Sequence, residues 1–168
     1  MIAYRDALPE DGPALAAMAR RCFAETFGTL YQSQDLAAFL DSTFCPDGLP
    51  AQIGDGAFAI RLATQDEQIA GFAKVGPNAL PIEGDDLVEL YQLYVLRDWQ
   101  GAGVAAALMD WVFATARARG ARRLCLSVYV DNHRAKTFYA RDGFVDVGRY
   151  DFPVGGHIDE DRLMVAPL

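Results

Sequence analysis

The stretch from Val88 to Ala107 contains the clearest candidate ligand-binding residues of the chain. It reads VELYQLYVLRDWQGAGVAAA: an apolar strand to about Val95, a short polar turn, and paired glycines that begin a helix. Such a junction leaves backbone N–H groups unpaired at the positive end of a helix dipole. Sites of this kind bind anions, and phosphate is their commonest ligand. The sequence therefore predicts a phosphate-bearing ligand at this turn.

The same glycines also fit the dinucleotide-binding pattern G-x-G-x-x-[GA], which here spans Gly101 to Ala106. Asp131 even follows the next predicted strand, where an acid that binds ribose is expected. However, residues 96–100 separate the first strand from Gly101, whereas the pattern normally begins directly after its strand. The chain after Asp131 is also too short to complete a doubly wound sheet. Both features disfavour a dinucleotide site.

A second polar cluster begins at Asn132 and reads NHRAKTFY, followed by Gly143 and Phe144. Asn132 is a favourable N-cap for a helix. Tyr139 lies seven residues later, almost two helical turns on, and therefore on the same helix face, with Ala135 between the two. This face presents an amide, a small side chain and a phenol to a common groove.

Taken together, these two clusters resemble the motifs of the GNAT-type acyl-CoA N-acyltransferases. Gln100, Gly103 and Ala105 satisfy the pattern [QR]-x-x-G-x-[GA], and the second cluster satisfies N-x-x-A-x-x-[FL]-Y…GF. The resemblance is strong from about Val88 to Leu168. It implies the GNAT fold, in which the strand before the turn splays away from the next strand.

The resemblance also implies a binding site for acetyl-CoA, which would act as co-substrate. The turn amides would hold the CoA pyrophosphate, and glycine and alanine permit the close approach that this requires. The backbone of the preceding strand would pair with the pantetheine arm, and the helix face would contact that arm as well. The implied CoA-binding residues are Leu93, Tyr94, Val95, Gln100, Gly101, Ala102, Gly103, Val104, Ala105, Asn132, Ala135 and Tyr139.

Two residues are implied to be catalytic. Tyr139 would protonate the departing CoA thiolate as a general acid, although its amphipathic character alone also fits a half-buried aromatic residue with a solvated hydroxyl group. Glu89 stands 11 residues before Gln100, where several relatives carry a glutamate that deprotonates the amine through water. Burial in an apolar strand would raise the pKa of this carboxyl group, which suits a base. Glu89 could instead face solvent or bind a cation.

The ends of the chain resemble PaiA-like acetyltransferases, some of which act on spermine and spermidine. The segments that carry this looser resemblance are FAETF, DLAAFLDSTF, RYDFPVGG and DRLMVAPL. In the family the early helices border the acceptor site, so Glu25, Phe27 and Tyr31 become candidates for substrate contact; for the two aromatic residues a core position is an equal alternative. A homodimer is compatible with this resemblance.

The leading hypothesis is an acetyl-CoA-dependent N-acetyltransferase that acts on a small primary amine, a polyamine being favoured. Because the chain has no Ser/His/Asp or Cys/His constellation, we expect direct attack in a ternary complex rather than an acyl-enzyme. The N–H of Val95 would polarise the thioester carbonyl. The alternatives are acetylation of a protein or peptide amine, and a non-catalytic acyl-CoA-binding regulatory module.

Composition narrows the possible partners. The net charge of −8 provides no basic excess for nucleic acid and slightly favours a cationic substrate. Cys22, Cys45 and Cys125 show no metal-ligand spacing, and His133 and His157 lack a metal partner, so no metal cofactor is expected. The chain shows no signal peptide and no membrane span, which predicts a cytoplasmic protein.

The order of predicted elements indicates how these residues are positioned. Strands that suit antiparallel pairing come first, then a β–α–β–α–β series, so we predict one α/β domain over residues 1–168: an α+β sandwich with a mixed, mostly antiparallel sheet. By the resemblance this sheet has about seven strands and about four flanking helices. The first helix should bury Leu15, Met18, Cys22 and Phe23. We expect a loop over residues 151–160 and a closing strand over residues 161–166.

Overall fold

The computed structural model describes all residues from Met1 to Leu168. It contains seven strands and four α-helices, as predicted. The strands are β1 (Ala3–Asp6), β2 (Ala59–Gln65), β3 (Gln68–Pro77), β4 (Leu87–Val95), β5 (Arg123–Tyr129), β6 (Val145–Val154) and β7 (His157–Pro167). The helices are α1 (Gly12–Phe27), α2 (Ser33–Thr43), α3 (Val104–Ala118) and α4 (His133–Arg141). No helix is both long enough and apolar enough to cross a membrane.

The strands form one sheet in the order β1-β2-β3-β4-β5-β7-β6. All neighbours are antiparallel except β4 and β5, which run parallel. These two strands pair only from Leu87–Arg123 to Glu89–Cys125 and then separate. A bulge at Tyr91 shifts the register of β4 against β3 just beyond this point. The predicted splay is therefore present, and it opens a gap in the middle of the sheet.

Helices cover both faces of the sheet. Helices α3 and α4 pack on one face around Leu108, Val112 and Leu124, and α1 and α2 pack on the other around Leu15, Phe72 and Phe44. The predicted inward face of α1 is confirmed, since Leu15, Met18, Cys22 and Phe23 are all buried. The gap between β4 and β5 connects the two faces.

The prediction of a loop over residues 151–160 was wrong. Strand β6 continues to Val154, and β7 begins at His157, so Gly155 and Gly156 alone form the turn of a long hairpin. Adjacent glycines are the expected residues for such a tight turn, and Gly155 has φ of 58°. Because β7 begins earlier than predicted, residues 157–160 acquire a fixed side-chain alternation.

The hairpin turn is anchored to the start of α2. The N–H of Gly156 donates to Asp35 Oδ1 over 2.8 Å. A Cβ atom at Gly155 would lie 2.7 Å from the Asp35 Cα atom and 2.9 Å from its carbonyl oxygen, so the contact requires glycine. The tip of the hairpin is thereby held against the α1–α2 layer.

This contact makes a prediction about stability. Gly155→Ala should destabilise the fold by more than Gly54→Ala, although both glycines have positive φ values. Nothing lies within 4 Å of a Cβ at Gly54, so that change should cost only the left-handed strain of about 1–2 kcal/mol. The clash with Asp35 should add at least about 1 kcal/mol at Gly155. Urea unfolding of both variants measures the difference, and equal losses would contradict the anchoring role.

Candidate active site

A cavity of about 560 Å³ occupies the gap between β4 and β5. Both strands contribute to its walls. Helix α4 lines the cavity on one face of the sheet, and α1, Tyr31 and two side chains of β7 line it on the other face. The bulged part of β4 and residues 126–129 of β5 form its sides. The cavity is thus a product of the strand separation.

The predicted anion-binding turn lies at one end of this cavity. Gly101 and Gly103 both have φ of 81°, a conformation that favours glycine. Gln100 and Ala105 line the cavity, while residues 101–103 are exposed and Val104 is buried below them. The N–H groups that make no hydrogen bond within the protein are those of Gly101, Gly103, Val104, Ala105 and Ala106, whereas that of Ala102 donates to Trp99.

Side chains fix the position of this turn. Gln100 Nε2 donates to the carbonyl oxygen of Val95 over 3.0 Å, which ties the turn to the end of β4. The Arg134 guanidinium donates to Gln100 Oε1 and lines the cavity. Sequence reasoning missed Arg134, although its place in the first turn of α4, two residues after Asn132, was an available signal. It adds a positive charge to the anion site.

The end of β4 presents free backbone groups to the cavity. The N–H of Leu96 donates to Ala70 in β3, so Val95 and Leu93 direct their own N–H and C=O groups away from β3. On that side β5 has already separated. Leu93, Tyr94 and Val95 all line the cavity, and the first and third offer main-chain donors to a ligand.

Helix α4 places its polar face as predicted. Asn132 caps the helix by accepting the N–H of Ala135 over 3.2 Å. Asn132, Ala135 and Tyr139 all line the cavity. Tyr139 is buried against Phe144, and burial raises the pKa of its phenol well above the ordinary value. The hydroxyl group therefore remains protonated and available as a donor across the physiological pH range.

Glu89 is not brought together with these residues. It is 6% exposed but does not line the cavity, and its Oε2 atom accepts the N–H of Ala79 over 2.8 Å. Desolvation raises the pKa of its carboxyl group, opposed by that hydrogen bond and by the charge of Lys74. Burial in turn lowers the pKa of Lys74 to about 8. Tyr91, which does line the cavity, lies beside Glu89.

The three predicted acceptor-site residues all line the cavity. Glu25 pairs with Arg21 over 2.7 Å, and this hydrogen bond lowers the pKa of its carboxyl group. Phe27 packs edge-on against Tyr129 with ring centroids 6.0 Å apart. The Tyr31 hydroxyl donates to Asp159 Oδ2. Phe27 and Tyr31 also contact the hydrophobic core, so packing and cavity lining coincide in these side chains.

Two buried acids in the cavity wall were missed by sequence reasoning. Asp159 and Asp161 are each 6% exposed, and both line the cavity. Their alternation in D-E-D was a usable strand signal, but residues 151–160 were interpreted as a loop. Burial is the main cause that raises the pKa of Asp161 to about 7, and the nearby charge of Asp159 adds to it. The Ser127 hydroxyl acts in the opposite direction.

The cavity is therefore electrostatically asymmetric. Arg134 lies beside the turn that carries the free amides, whereas the Arg97 guanidinium donates to the backbone of Glu25 near the end of α1. Asp159 and Asp161 lie on β7, on the side covered by α1 and Tyr31. One ligand with anionic groups and a second ligand with positive charge would match this arrangement.

Comparisons with known proteins agree with this geometry. A model of the Acetyltransferase (GNAT) family matches residues 14–144. An uncharacterised N-acetyltransferase of Mycobacterium tuberculosis (strain ATCC 25618 / H37Rv) is 38% identical over 159 residues, covering 94% of this chain and 98% of the relative. An uncharacterised N-acetyltransferase of Lactobacillus delbrueckii subsp. lactis, from the pepI 3′ region, is 28% identical over 169 aligned positions, 95% and 93% of the two chains.

The fold has close counterparts among solved structures. The crystal structure of the PaiA N-acetyltransferase from Thermoplasma acidophilum in complex with coenzyme A has a TM-score of 0.81, with 19% identity over 100% of this chain and 99% of that one. A GCN5-related N-acetyltransferase from Rhodopseudomonas palustris has a TM-score of 0.78 with 26% identity, over 99% and 95% of the two chains. The chain belongs to the acetyltransferase (GNAT) family and is an acetyl-CoA-dependent N-acetyltransferase.

Proposed function

We propose that this enzyme transfers the acetyl group of acetyl-CoA to a primary amine of a small cationic molecule, with a polyamine as the favoured acceptor. The observation that carries the proposal is the asymmetric cavity, which joins free amides at one end to buried carboxylates at the other. Acetyl-CoA would enter from the turn and the amine from the side of Tyr31. The two substrates would meet beside β4, in a ternary complex.

The proposed acetyl-CoA site differs from the predicted one in two ways: the N–H groups of Gln100 and Ala102 are already engaged within the turn, and Arg134 is added. The free amides at Gly101 and Gly103–Ala105 would bind the pyrophosphate, assisted by the dipole of α3. Arg134 would pair with a phosphate oxygen. The outward-facing backbone of Leu93 and Val95 would accept the pantetheine arm as an additional strand, with Asn132 and Ala135 on its other side.

The reaction follows from the groups around the gap. The N–H of Val95 or Leu93 would donate to the thioester oxygen and stabilise the negative charge that develops there. The neutral amine attacks the carbonyl carbon, a C–N bond forms, and the C–S bond breaks. Tyr139 then donates its proton to the CoA sulfur, and its phenolate takes the proton that the new amide nitrogen releases.

The charge of the protein supports a cationic acceptor. The chain carries a net charge of −8, and Asp159 and Asp161 in the cavity wall have no arginine or lysine partner. A cavity of about 560 Å³ that is shared with the reacting end of acetyl-CoA favours a small amine over a folded protein surface. The family membership and the placement of Tyr139 disfavour a purely CoA-binding role.

The first prediction from the proposed mechanism concerns the general acid. Tyr139→Phe should lower kcat for acetyl transfer to spermidine about 100-fold while KM for acetyl-CoA changes by less than about twofold, because only the proton donor is removed. Release of the CoA thiol measures both constants. The assay should use a panel of acceptor amines: spermidine, spermine, putrescine, a simple monoamine and a short peptide.

The control for this substitution is Tyr4→Phe, which makes the same chemical change in β1, outside the cavity wall. This variant should retain wild-type activity. Equal kcat values for Tyr139→Phe and Tyr4→Phe would exclude Tyr139 as the acid. If acetyl-CoA binds but no member of the panel is acetylated, the proposed acceptor class is wrong, and acetylation of the peptide alone would point to the protein-directed alternative.

The second prediction concerns the added phosphate contact. Arg134→Ala should raise KM for acetyl-CoA roughly tenfold with little change in kcat, which corresponds to one charge-assisted hydrogen bond of about 1.5 kcal/mol. Arg141→Ala removes the same charge from the last turn of the same helix and should leave KM unchanged. The effect should also shrink as ionic strength rises. An unchanged KM in Arg134→Ala at low salt would contradict the contact.

A further inference from the structure

Strand β7 holds two carboxylates in the cavity wall that the proposed acetyl-CoA site does not use. Asp159 and Asp161 are two residues apart and so point to the same face of the sheet. Asp161 pairs with Tyr129 of β5 on one side and with Tyr150 of β6 on the other. Glu160, between the two acids, points to the opposite face and pairs with Arg149 over 2.8 Å.

The two acids differ in how their charges are balanced. Asp159 accepts a hydrogen bond from the Tyr31 hydroxyl and has His157 Nε2 3.1 Å from its Oδ1 atom. Asp161 has no cation and no backbone N–H in contact, and the Ser127 hydroxyl is the group that favours its charged form. It is a buried carboxylate, more than nine-tenths covered, that lines an open cavity without a positive partner. Such a group is costly to keep ionised unless a ligand supplies the charge.

A second polar group in the same cavity also lacks a partner. Gln92 Oε1 is buried and accepts no hydrogen bond, and Gln92 lines the cavity from β4. The positive groups of the wall are engaged elsewhere, Arg134 with Gln100 and Arg97 with the backbone of Glu25. Asp161 therefore lacks a cationic partner in this wall, and Gln92 Oε1 lacks a donor. A protonated amine supplies both the N–H donors and the positive charge that these groups need.

The strand register places Asp161 near the part of β4 that is proposed to bind the thioester carbonyl. Counting on from the Glu89–Cys125 pair, and allowing one residue for the bulge at Tyr91, Tyr129 of β5 is about level with Leu93 and Tyr94 of β4. The N–H of Leu93 faces the gap. Asp161 lies directly beside Tyr129 on the next strand. Asp161 is thus one strand away from the point where the amine must attack. Glu89, in contrast, lies before the strands separate and is held by Ala79.

We propose that Asp161 binds the ammonium group of the acceptor and takes its proton, with Asp159 beside it as the second carboxylate of a site for amines that carry more than one positive charge. This rests on the proposed function. The ammonium group passes one proton to the Asp161 carboxylate, which leaves a neutral amine and a carboxylic acid. The amine then attacks as described above, and Asp161 releases its proton to solvent. In total, an ammonium ion and acetyl-CoA give an N-acetyl amine, CoA thiol and one proton.

The test compares Asp161→Asn with Glu160→Gln, which removes the same charge from the next residue on the opposite face. Calorimetry measures spermidine binding to the protein–CoA complex at pH 8. We expect Asp161→Asn to weaken binding at least tenfold and Glu160→Gln to leave it unchanged. Equal affinities in the two variants would overturn the proposal.

A pH profile separates proton transfer from binding. For the wild type, kcat/KM for spermidine should rise as Asp161 ionises near pH 7, and this limb should be absent in Asp161→Asn. The limb should persist in Glu89→Gln. If Glu89→Gln removes the limb and Asp161→Asn keeps it, the proton goes to Glu89 and the proposal is wrong.

Thermal unfolding shows whether the variant is folded and tests the burial of the charge. Folding raises the pKa of Asp161 from 3.8 to about 7. Ionisation of Asp161 therefore has no effect on stability below about pH 4, lowers stability progressively between pH 4 and pH 7, and has its full destabilising effect above pH 7. The melting temperature of Asp161→Asn should therefore exceed that of the wild type at pH 8, and the difference should be smaller at pH 5. If the substitution lowers the melting temperature more at pH 8 than at pH 5, Asp161 does not carry an unpaired buried charge.

Failure of this inference can be distinguished from failure of the proposed function. If no amine causes CoA release from the wild type, the proposed reaction is wrong, yet a loss of spermidine binding in Asp161→Asn would still support the acidic site. If spermidine is acetylated and Asp161→Asn behaves like Glu160→Gln in binding and pH profile, the reaction stands and the role of Asp161 is excluded.

Discussion

The separation of β4 from β5 creates both the cavity and the unpaired backbone groups that line it. Parallel strands in the middle of a sheet normally satisfy each other's backbone groups, but here pairing stops after Glu89–Cys125. The bulge at Tyr91 bends β4 away, and the N–H groups of Leu93 and Val95 then face a cavity instead of a strand. A sheet opened in this way accepts an extended ligand arm as a missing strand. It also lets groups from opposite faces, Tyr139 below and Asp161 above, reach one space.

The charged groups that line that space differ between its two ends, which supports the proposed division between acetyl-CoA and an amine. Free amides, the dipole of α3 and Arg134 favour the phosphates of acetyl-CoA at one end. The β6–β7 hairpin supplies Asp159 and Asp161 at the other, and the contact of Gly156 with Asp35 holds this hairpin against α2. The Tyr31 hydroxyl, between α1 and α2, also links this layer to β7 by donating a hydrogen bond to Asp159. The proposed amine side of the site is therefore assembled from segments more than a hundred residues apart, whereas the proposed CoA side is built largely from one continuous stretch with support from α4.

Burial raises the pKa of both titratable groups nearest the proposed chemistry, and the two groups have different proposed roles. Desolvation keeps the Tyr139 phenol protonated, as a donor to a departing thiolate must be. The same effect raises the pKa of Asp161 to about 7, near the value at which a carboxylate can both take and release a proton at neutral pH. Ser127 and Asp159 adjust this balance in opposite directions. The buried charge lowers the stability of the fold at high pH, a cost that is common where side chains are arranged for function.

Features that depend on local spacing could be predicted from the amino-acid sequence alone. Glycines at Gly101 and Gly103 dictate the turn, and Asn132, Ala135 and Tyr139 share a face because a helix repeats every 3.6 residues. The sandwich of seven strands and four helices could be predicted for the same reason, aided by family resemblance. The position of Glu89 outside the cavity, and those of Asp159 and Asp161 in its wall, are seen only in the folded protein. A strand's own sequence gives alternation, but which face meets a cavity depends on register, on the bulge at Tyr91 and on the glycine turn that extends β7, and these are properties of the assembled sheet.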